Sequence, residues 1–264
     1  MLLLPEKKIP RDFCILSDIY NGGGRAELIC TANLPCTGVS TACTVTVLRS
    51  KLLWLTIVFH DPGLTKMMSS LAQDVALIVI DVQKGFDAPK WGKRNNPQAE
   101  ANIAKLLEAW RHSGRSVIHV QHCSKEPGSP FRPDSPGNAI KEIAKPNQGE
   151  LVIQKSVNSA FIGTDLESYL RKQRITGLVI VGLTTDHCVS TTARMAGNLG
   201  FTTFVVSDAT ATFDRTGPNG KKHKAADIHE VNLASLHQEF ATVVNTQNLI
   251  SGLESSRGTP MNTE

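Results

Sequence analysis

The stretch TGLVIVGLTTDHCVSTTAR, residues 176–194, decides the fold class of this chain. Its apolar run at 178–181 is β-branched and too short for a helix, so it predicts a buried strand of a parallel sheet. A polar turn follows Gly182, and Thr185 or Asp186 is a candidate N-cap for the helical pattern after it. The segment therefore predicts a strand–turn–helix unit of an α/β fold.

Cys188 lies at the predicted start of that helix. A thiol at a helix N-terminus is exposed to the positive end of the aligned peptide dipoles, which favours the thiolate. Free cysteines are also among the residues most often buried in protein cores. From this segment alone, a reactive nucleophile and a small core residue are equally good interpretations of Cys188.

The alternation of strands and helices extends on both sides of this unit, from about residue 74 to about residue 250. Strands are predicted at 75–82, 116–120, 150–154, 177–181, 202–207 and 241–244, and helices at 97–112, 165–173, 186–199 and 224–239, with weaker candidates at 138–144 and 247–250. The pattern predicts a three-layer αβα domain with a six-stranded, mostly parallel sheet. A long loop at 123–148, rich in Pro, Ser and Gly, is typical of a functional segment.

Residues 1–73 do not share this pattern. We expect them to form a poorly structured extension, or to reflect an upstream start codon, since Met67 and Met68 precede the first predicted strand. An organelle-targeting segment is the alternative, but the acidic residues in this region disfavour it. The expected organisation is thus an extension at 1–73, one α/β domain at 74–252 and a disordered tail at 253–264.

Composition excludes several classes of function. The chain has 264 residues, 41% of them hydrophobic and 5% aromatic, and a formal charge of +4. The scattered basic residues and few aromatic rings predict no nucleic-acid partner, and no apolar run reaches the ~20 residues that span a bilayer. No spacing of Cys and His matches a zinc site. A disulfide framework among the four Cys of the first 43 residues is the alternative to the reducing, cytoplasmic location that we expect.

Three ionisable residues follow predicted strands: Asp81 the first, Lys155 the third and Cys188 the fourth. The carboxyl ends of parallel strands meet at the sheet edge where ligands bind. Asp81 has an alternative interpretation as a helix cap or ion-pair partner, and Lys155 as a surface charge, but their joint placement favours a catalytic site. Lys155 would lower the pKa of the thiol, Asp81 would accept its proton, and Cys188 would attack a carbonyl to form a thioester.

These residues belong to motifs that resemble the isochorismatase-like cysteine hydrolases, a superfamily that includes nicotinamidases, N-carbamoylsarcosine amidase and a streptothricin hydrolase. The motifs are DVQKGF at 81–86, KSVNSAF at 155–161, GLTTDHCV at 182–189 and DATATF at 208–213. The resemblance implies an Asp81–Lys155–Cys188 triad on a sheet of order 3-2-1-4-5-6. It also implies a cis peptide before Thr184, an oxyanion hole formed by the N–H groups of Thr184 and Cys188, and a homo-oligomer, either a dimer or a tetramer.

Departures from the nicotinamidase pattern concern the metal. Nicotinamidases carry an Asp-x-His and further His residues after the second strand, whereas this chain has HVQHCS at 119–124. His119 and His122 are three residues apart, so on a strand they point to opposite faces. We therefore expect no metal and no other cofactor, and His119 is either a core residue or part of the pocket wall.

Several residues are candidates for the substrate pocket. The SPFRP loop at 129–133 resembles that of streptothricin hydrolase and of small cysteine hydrolases, although an ordinary Pro-stiffened loop is an equal interpretation. Phe86 and Phe161 are either walls of the pocket or core residues. His187 points about 100° away from Cys188 on the helix, so it is a pocket or interface residue rather than a base. The candidates are Phe86, His119, Ser129, Phe131, Arg132, Phe161 and His187.

The sequence therefore predicts a metal-independent cysteine hydrolase that cleaves an amide-type C–N bond of a small molecule. True isochorismatases cleave a vinyl ether and lack the nucleophilic cysteine, so Cys188 favours the amide. Hydrolysis of a vinyl ether is the alternative reaction. A catalytically silent binding protein on the same fold is the alternative class, which the intact triad disfavours.

Overall fold

A computed structural model of the chain describes residues 73–255, together with four short strands that precede them. The chain forms two compact units, residues 1–70 and residues 71–264. In the first unit the strands β1 (Ile15–Asp18), β2 (Leu28–Thr31), β3 (Thr44–Leu48) and β4 (Thr56–His60) form an antiparallel sheet in chain order. The sequence pattern did not predict these strands. The rest of the expected N-terminal extension lies outside the described residues.

Six strands of the second unit form one parallel sheet. They are β5 (Val75–Ile80), β6 (Val117–His122), β7 (Leu151–Lys155), β8 (Gly177–Leu183), β9 (Thr202–Ala211) and β12 (Thr242–Val244). Their spatial order is β7-β6-β5-β8-β9-β12, which confirms the expected order 3-2-1-4-5-6. Every residue of the two central strands, β5 and β8, is buried, as continuous apolar runs in a parallel sheet predict.

In the described part of the chain, five helices cover this sheet on its two faces, which confirms the αβα architecture. They are α1 (Ala99–His112), α2 (Leu166–Lys172), α3 (Ser190–Asn198), α4 (Ala225–Leu236) and α5 (Thr246–Ser255). Helices α1 and α5 contact each other, as do α3 and α4. The apolar side chains of α2 and α3 share one buried cluster with β5, β6 and β8. Helix α5 runs past residue 252, and the last nine residues lie outside the described part of the chain.

Other differences from the predicted elements arise in the connecting segments. The predicted helix at 138–144 is replaced by two 3₁₀ turns, Pro136–Asn138 and Glu142–Ala144. A short hairpin, β10 (Arg215–Thr216) and β11 (Lys222–His223), lies in the connection after β9. Two-residue strands carry too little periodic pattern to be seen in a sequence.

Gly182 allows the strand that leads to Cys188 to approach its neighbour closely. Its φ is +120°, and a Cβ atom at this position would lie 1.9 Å from the carbonyl oxygen of Ile80. The register between β8 and β9 shifts at the same point, between Ile180 and Gly182. Only glycine combines this conformation with this contact. The close approach places the turn after β8 beside the residue that follows β5, which is Asp81.

Candidate active site

Asp81, Lys155 and Cys188 lie together at the carboxyl edge of the sheet. The ammonium Nζ of Lys155 donates to Oδ2 of Asp81 at 2.7 Å and to Sγ of Cys188 at 3.3 Å. The three residues are 0%, 2% and 7% exposed, respectively. Asp81 follows β5 and Cys188 follows the adjacent strand β8, whereas Lys155 ends β7, which β6 separates from β5. The structure therefore brings together the three side chains that the sequence predicts to form the triad.

Asp81 has two features that are unusual for a buried carboxylate. Its backbone φ is +50°, a conformation that non-glycine residues rarely adopt and that clusters at active sites. Its Oδ1 atom is buried and has no hydrogen-bond partner among the described residues, although buried polar atoms are nearly always paired. One oxygen of this carboxylate can therefore accept a proton without breaking a bond to the protein.

His122, the last residue of β6, is a further member of the cluster. Nζ of Lys155 lies 3.1 Å from Nδ1 of His122. Burial lowers the pKa of His122, the positive charge of Lys155 lowers it further, and Asp81 opposes both. An ammonium can only donate, so a hydrogen bond between the two groups requires Nδ1 to be the acceptor, and the lowered pKa favours that uncharged form. In the sequence, His122 stands out only as a possible metal ligand. Its contact with Lys155 follows from the register of the sheet, in which the two residues are direct partners.

Cys188 lies in a single π-helical turn, Thr185–Val189, that precedes α3. Such turns occur frequently at functional sites. The peptide bond between Leu183 and Thr184 is cis, as the family resemblance implies. The thiol donates to Oδ1 of Asn158 at 3.7 Å, a contact that the sequence did not suggest.

The expected lowering of the thiol pKa is wrong for the resting site. Burial raises the pKa of Cys188, the carboxylate of Asp81 raises it further, and the ammonium of Lys155 only partly opposes them. In a buried site, desolvation of the thiolate outweighs the helix dipole on which the expectation was based. Cys188 is therefore a neutral thiol until its proton is removed.

Neither predicted N-cap residue caps the helix, because both side chains have other partners. Asp186 accepts from Nε of Arg215 at 2.7 Å and also from the hydroxyl of Thr212. Burial alone would raise the pKa of Asp186, but these hydrogen bonds lower it to about 2. The hydroxyl of Thr185 lies 2.8 Å from Nδ1 of His229 in α4. These contacts anchor the turn that carries Cys188 to the segment after β9 and to α4.

The predicted pocket residues Phe86 and Phe131 belong to an aromatic cluster beside the triad. Their ring centroids are 4.6 Å apart, and both rings also pack against Trp91. The ring of Phe131 lies edge-on to His122 with a centroid separation of 6.0 Å. Phe131 therefore contacts the site through His122, and Phe86 is one ring further away.

The structure does not bring the other predicted pocket residues to the triad. His119 lies on the opposite face of β6 from His122, as strand alternation predicts, and its Nε2 is 2.9 Å from Oε2 of Glu150. Phe161 stacks on Phe201, and His187 is largely exposed. In the 129–133 loop, Ser129 bonds the backbone of its own turn and Arg132 forms an exposed ion pair with Asp134, so the contacts at these two positions are those of an ordinary loop.

Asp81, His122 and Cys188 are also the residue types that bind metal ions, and one potential ligand atom of each lies within 4.8 Å of the others. The ammonium of Lys155, however, already contacts these three side chains at 2.7, 3.1 and 3.3 Å. A divalent cation among them would be strongly repelled by that charge. The cluster formed by Asp81, His122 and Cys188 therefore does not fit a divalent metal ion.

Comparison with known families identifies the family of the chain. Residues 75–248 match the family model described as the isochorismatase domain, so the chain belongs to the isochorismatase family, whose members are hydrolases. None of the helices in the described part of the chain has the length and apolar character needed to cross a membrane.

Three similar proteins illustrate the relationship. The isochorismatase family protein YrdC of Bacillus subtilis is 56% identical over 176 residues, which cover 67% of this chain and 94% of YrdC. The ureidoacrylate amidohydrolase RutB of Variovorax paradoxus is 29% identical over 184 residues, covering 56% of this chain and 73% of RutB. A crystal structure of an isochorismatase-family hydrolase from Chromobacterium violaceum superimposes with a TM-score of 0.68 at 43% identity, covering 70% of this chain and 95% of that one.

Proposed function

We propose that this protein is a metal-independent cysteine hydrolase that cleaves an amide-type C–N bond of a small molecule. The observation that carries the proposal is the bridge formed by Lys155, whose ammonium contacts both Asp81 and Cys188 in a buried site. This arrangement provides a nucleophile, a proton acceptor and a cation within one cluster. Those are the groups that hydrolysis through a covalent thioester requires.

The presence of a thiol favours an amide over a vinyl ether. A thiol nucleophile reacts at an electrophilic carbonyl carbon, which an amide has and a vinyl ether lacks. The relative RutB is named an amidohydrolase, which supports the same class of reaction. The aromatic rings of Phe86 and Phe131 beside the triad suggest that the substrate presents an apolar portion next to its scissile bond.

In the first half of the proposed reaction, Asp81 accepts the thiol proton as the sulfur of Cys188 bonds to the carbonyl carbon. The carbonyl oxygen becomes an oxyanion, which the backbone N–H groups of Thr184 and Cys188 would stabilise. The C–N bond then breaks, and Asp81 returns the proton to the leaving nitrogen. The products of this half are a thioester on Cys188 and a free amine.

In the second half, water attacks the thioester carbon while Asp81 accepts a proton from the water. The C–S bond then breaks, and the sulfur regains a proton from Asp81. A carboxylic acid leaves and the site returns to its initial state. Overall, one amide and one water become one acid and one amine.

A panel of small amides, assayed with the wild type and with Cys188→Ala, tests the proposal. Cys123 is the other free cysteine in the described part of the chain, so Cys123→Ala is a matched control. We expect Cys188→Ala to lose at least ~10³-fold in kcat, because the covalent route is removed, and Cys123→Ala to retain activity. A substrate–enzyme thioester that hydroxylamine releases should form only when Cys188 is present.

Three results would contradict the proposal. Full activity of Cys188→Ala would exclude the thioester route. Turnover of vinyl ethers together with inertness toward every amide would favour the alternative reaction. Tight binding of amides without turnover by the wild type would favour a binding protein.

We also propose that the protein is a homo-oligomer and that it works in a reducing, cytoplasmic environment. The first proposal rests on the family resemblance alone, and light scattering of the purified chain tests it. The second rests on the chemistry of Cys188, because the proposed nucleophile must remain a free thiol. The expected partner is a small-molecule substrate.

A further inference from the structure

The ammonium of Lys155 has three partners, but the proposed reaction uses only two of them. Besides Asp81 and Cys188, Nζ contacts Nδ1 of His122 at 3.1 Å. An ammonium has three N–H donors, so these three partners account for all of its hydrogen bonds. The direction of each N–H is therefore set by where the other two acceptors lie. A change at His122 would reorient the cation relative to the nucleophile and its base.

His122 is itself held firmly by its surroundings. Its backbone N–H donates to Oε1 of Gln83 at 2.9 Å, and its carbonyl oxygen accepts from Nε2 of Gln83 at 3.0 Å. The side chain of Asn138 also donates to this carbonyl, at 2.9 Å. The ring of Phe131 packs edge-on against the imidazole. A residue with four such contacts is well suited to position a neighbouring group, since its own conformation is fixed.

We propose that His122 is a positioning residue for Lys155: its neutral Nδ1 accepts one N–H of the ammonium and so directs the remaining two at Asp81 and Cys188. The inference rests on the proposed function, because it assigns a role within the same triad. His122 becomes a fourth member of the site, and its role as an acceptor requires its imidazole to be uncharged. Nδ1 can act as an acceptor only while the imidazole is uncharged.

The proposal has a consequence for pH dependence. The groups that face the imidazole are Lys155 at the end of β7, Asp81 after β5, Cys188 in the π-helical turn and the uncharged ring of Phe131. Protonation of Nδ1 removes the acceptor and places a second positive charge beside the ammonium. Lys155 is then displaced from the other two groups. Activity should therefore fall on the acid side, at a pH below the ordinary pKa of histidine, because burial and Lys155 lower the pKa of His122.

Two substitutions at His122 separate the acceptor from the packing. His122→Asn keeps an acceptor near the position of Nδ1 but cannot be protonated, whereas His122→Phe keeps an aromatic ring against Phe131 and removes the acceptor. His119→Gln is the matched control, since it changes the other histidine of β6 and retains a donor for Glu150. All variants are assayed on an amide that the wild type hydrolyses, across the pH range, and their thermal unfolding is compared.

We expect His122→Phe to lose about 10- to 100-fold in kcat, the range expected when a hydrogen bond to a charged group is lost. We expect His122→Asn to recover part of this loss and to lose the part of the acid limb that protonation of His122 causes. We expect His119→Gln to keep both the wild-type rate and the wild-type limb. Equal rates for His122→Phe and the wild type would overturn the inference. So would an acid limb that is unchanged in His122→Asn.

A measurement on the unmodified chain tests the inference independently of turnover. NMR of the ring nitrogens should show His122 as the Nε2–H tautomer with an unprotonated Nδ1 at neutral pH, titrating below the ordinary histidine range. A charged ring or the Nδ1–H tautomer at neutral pH would contradict the assignment. Cys188→Ala separates the two proposals. If that variant is inactive while His122→Phe is fully active, the proposed function stands and only the role of His122 fails.

Discussion

Two carboxylates of the α/β domain, one buried and one partly buried, differ in how completely they are hydrogen-bonded. Glu150, just before β7, accepts from Nε and Nη2 of Arg111, from the backbone N–H of Asn147 and pairs with His119, so both of its oxygens have partners. Asp81 receives one hydrogen bond, from Lys155, and its other oxygen has no partner among the described residues. Each carboxylate is associated with one of the two histidines of β6.

The difference separates a structural cluster from a reactive one. Glu150 is held as an anion: burial alone would raise its pKa, but its hydrogen bonds, with that from Arg111 the strongest, lower the pKa to about 2. A carboxylate held in this way is a poor base. Asp81 keeps an unpaired oxygen within a cluster that also contains a thiol with a raised pKa. The carboxylate with an unpaired oxygen, Asp81, is thus the one that can accept a proton.

The largest expected effect comes from neutralising the two carboxylates in turn. Asp81→Asn removes the proton acceptor, so kcat should fall by about 10²- to 10⁴-fold, the usual contribution of a general base. Glu150→Gln leaves the triad intact and should keep kcat within about threefold of the wild type, as a change that affects packing alone would do. The measurement is amide hydrolysis by both variants under identical conditions. A comparable loss in Glu150→Gln would show that the two clusters are not functionally distinct.

A smaller effect is expected in the reactivity of the thiol. Because burial and Asp81 raise the pKa of Cys188, its alkylation by iodoacetamide at neutral pH should be at least ~10-fold slower than that of a free thiol of pKa about 8.5. The rate should continue to rise with pH beyond the range in which a free thiol levels off. Peptide mass analysis of the labelled Cys188 measures this rate, with Cys123 as an internal reference. Labelling of Cys188 faster than a free thiol would mean that its pKa is lowered instead.

The smallest expected effect is on stability, and it concerns Glu150. Its pKa is depressed in the folded state, so it stabilises the fold above the unfolded-state pKa near 4.5, and this contribution is lost as the pH falls toward about 2. Glu150→Gln should therefore lower the free energy of unfolding at pH 7 by about 1–3 kcal/mol, the range for hydrogen bonds to charged groups. Denaturant unfolding at pH 7 and pH 3 should show the difference from the wild type shrinking with acid. A difference that is independent of pH would assign the effect to packing.

The succession of strands and helices and the positions of the triad residues could be predicted from local sequence patterns, whereas the order of the sheet was implied by the family resemblance. Apolar runs at 75–82 and 177–181 mark the central strands. Asp81 follows β5 directly, Lys155 is the last residue of β7, and Cys188 lies in the turn after β8. Polar residues at strand ends are visible in a sequence as breaks in an apolar run. In a parallel sheet those breaks gather at one edge.

The pocket residues were harder to predict, because a residue lines the pocket only if its side chain points toward the triad. Phe131 borders the site, whereas Arg132 in the same loop is paired with Asp134 in solvent. Phe161, although it belongs to a recognisable motif, stacks on Phe201. Loop side chains have no periodicity that reveals their direction, so the sequence could only name them together.

The sequence by itself determined the class of fold, the sheet order implied by its motifs, and the three residues that meet at the carboxyl edge of the sheet. Only the tertiary structure decided the protonation of the thiol and the inclusion of His122. Both depend on desolvation and on distances between charges, which arise when β5, β6, β7 and the turn after β8 come together. Cys188 is therefore recognisable as a candidate nucleophile from its motif. That the pKa of its thiol is raised follows from burial and from the carboxylate of Asp81, which no local pattern records.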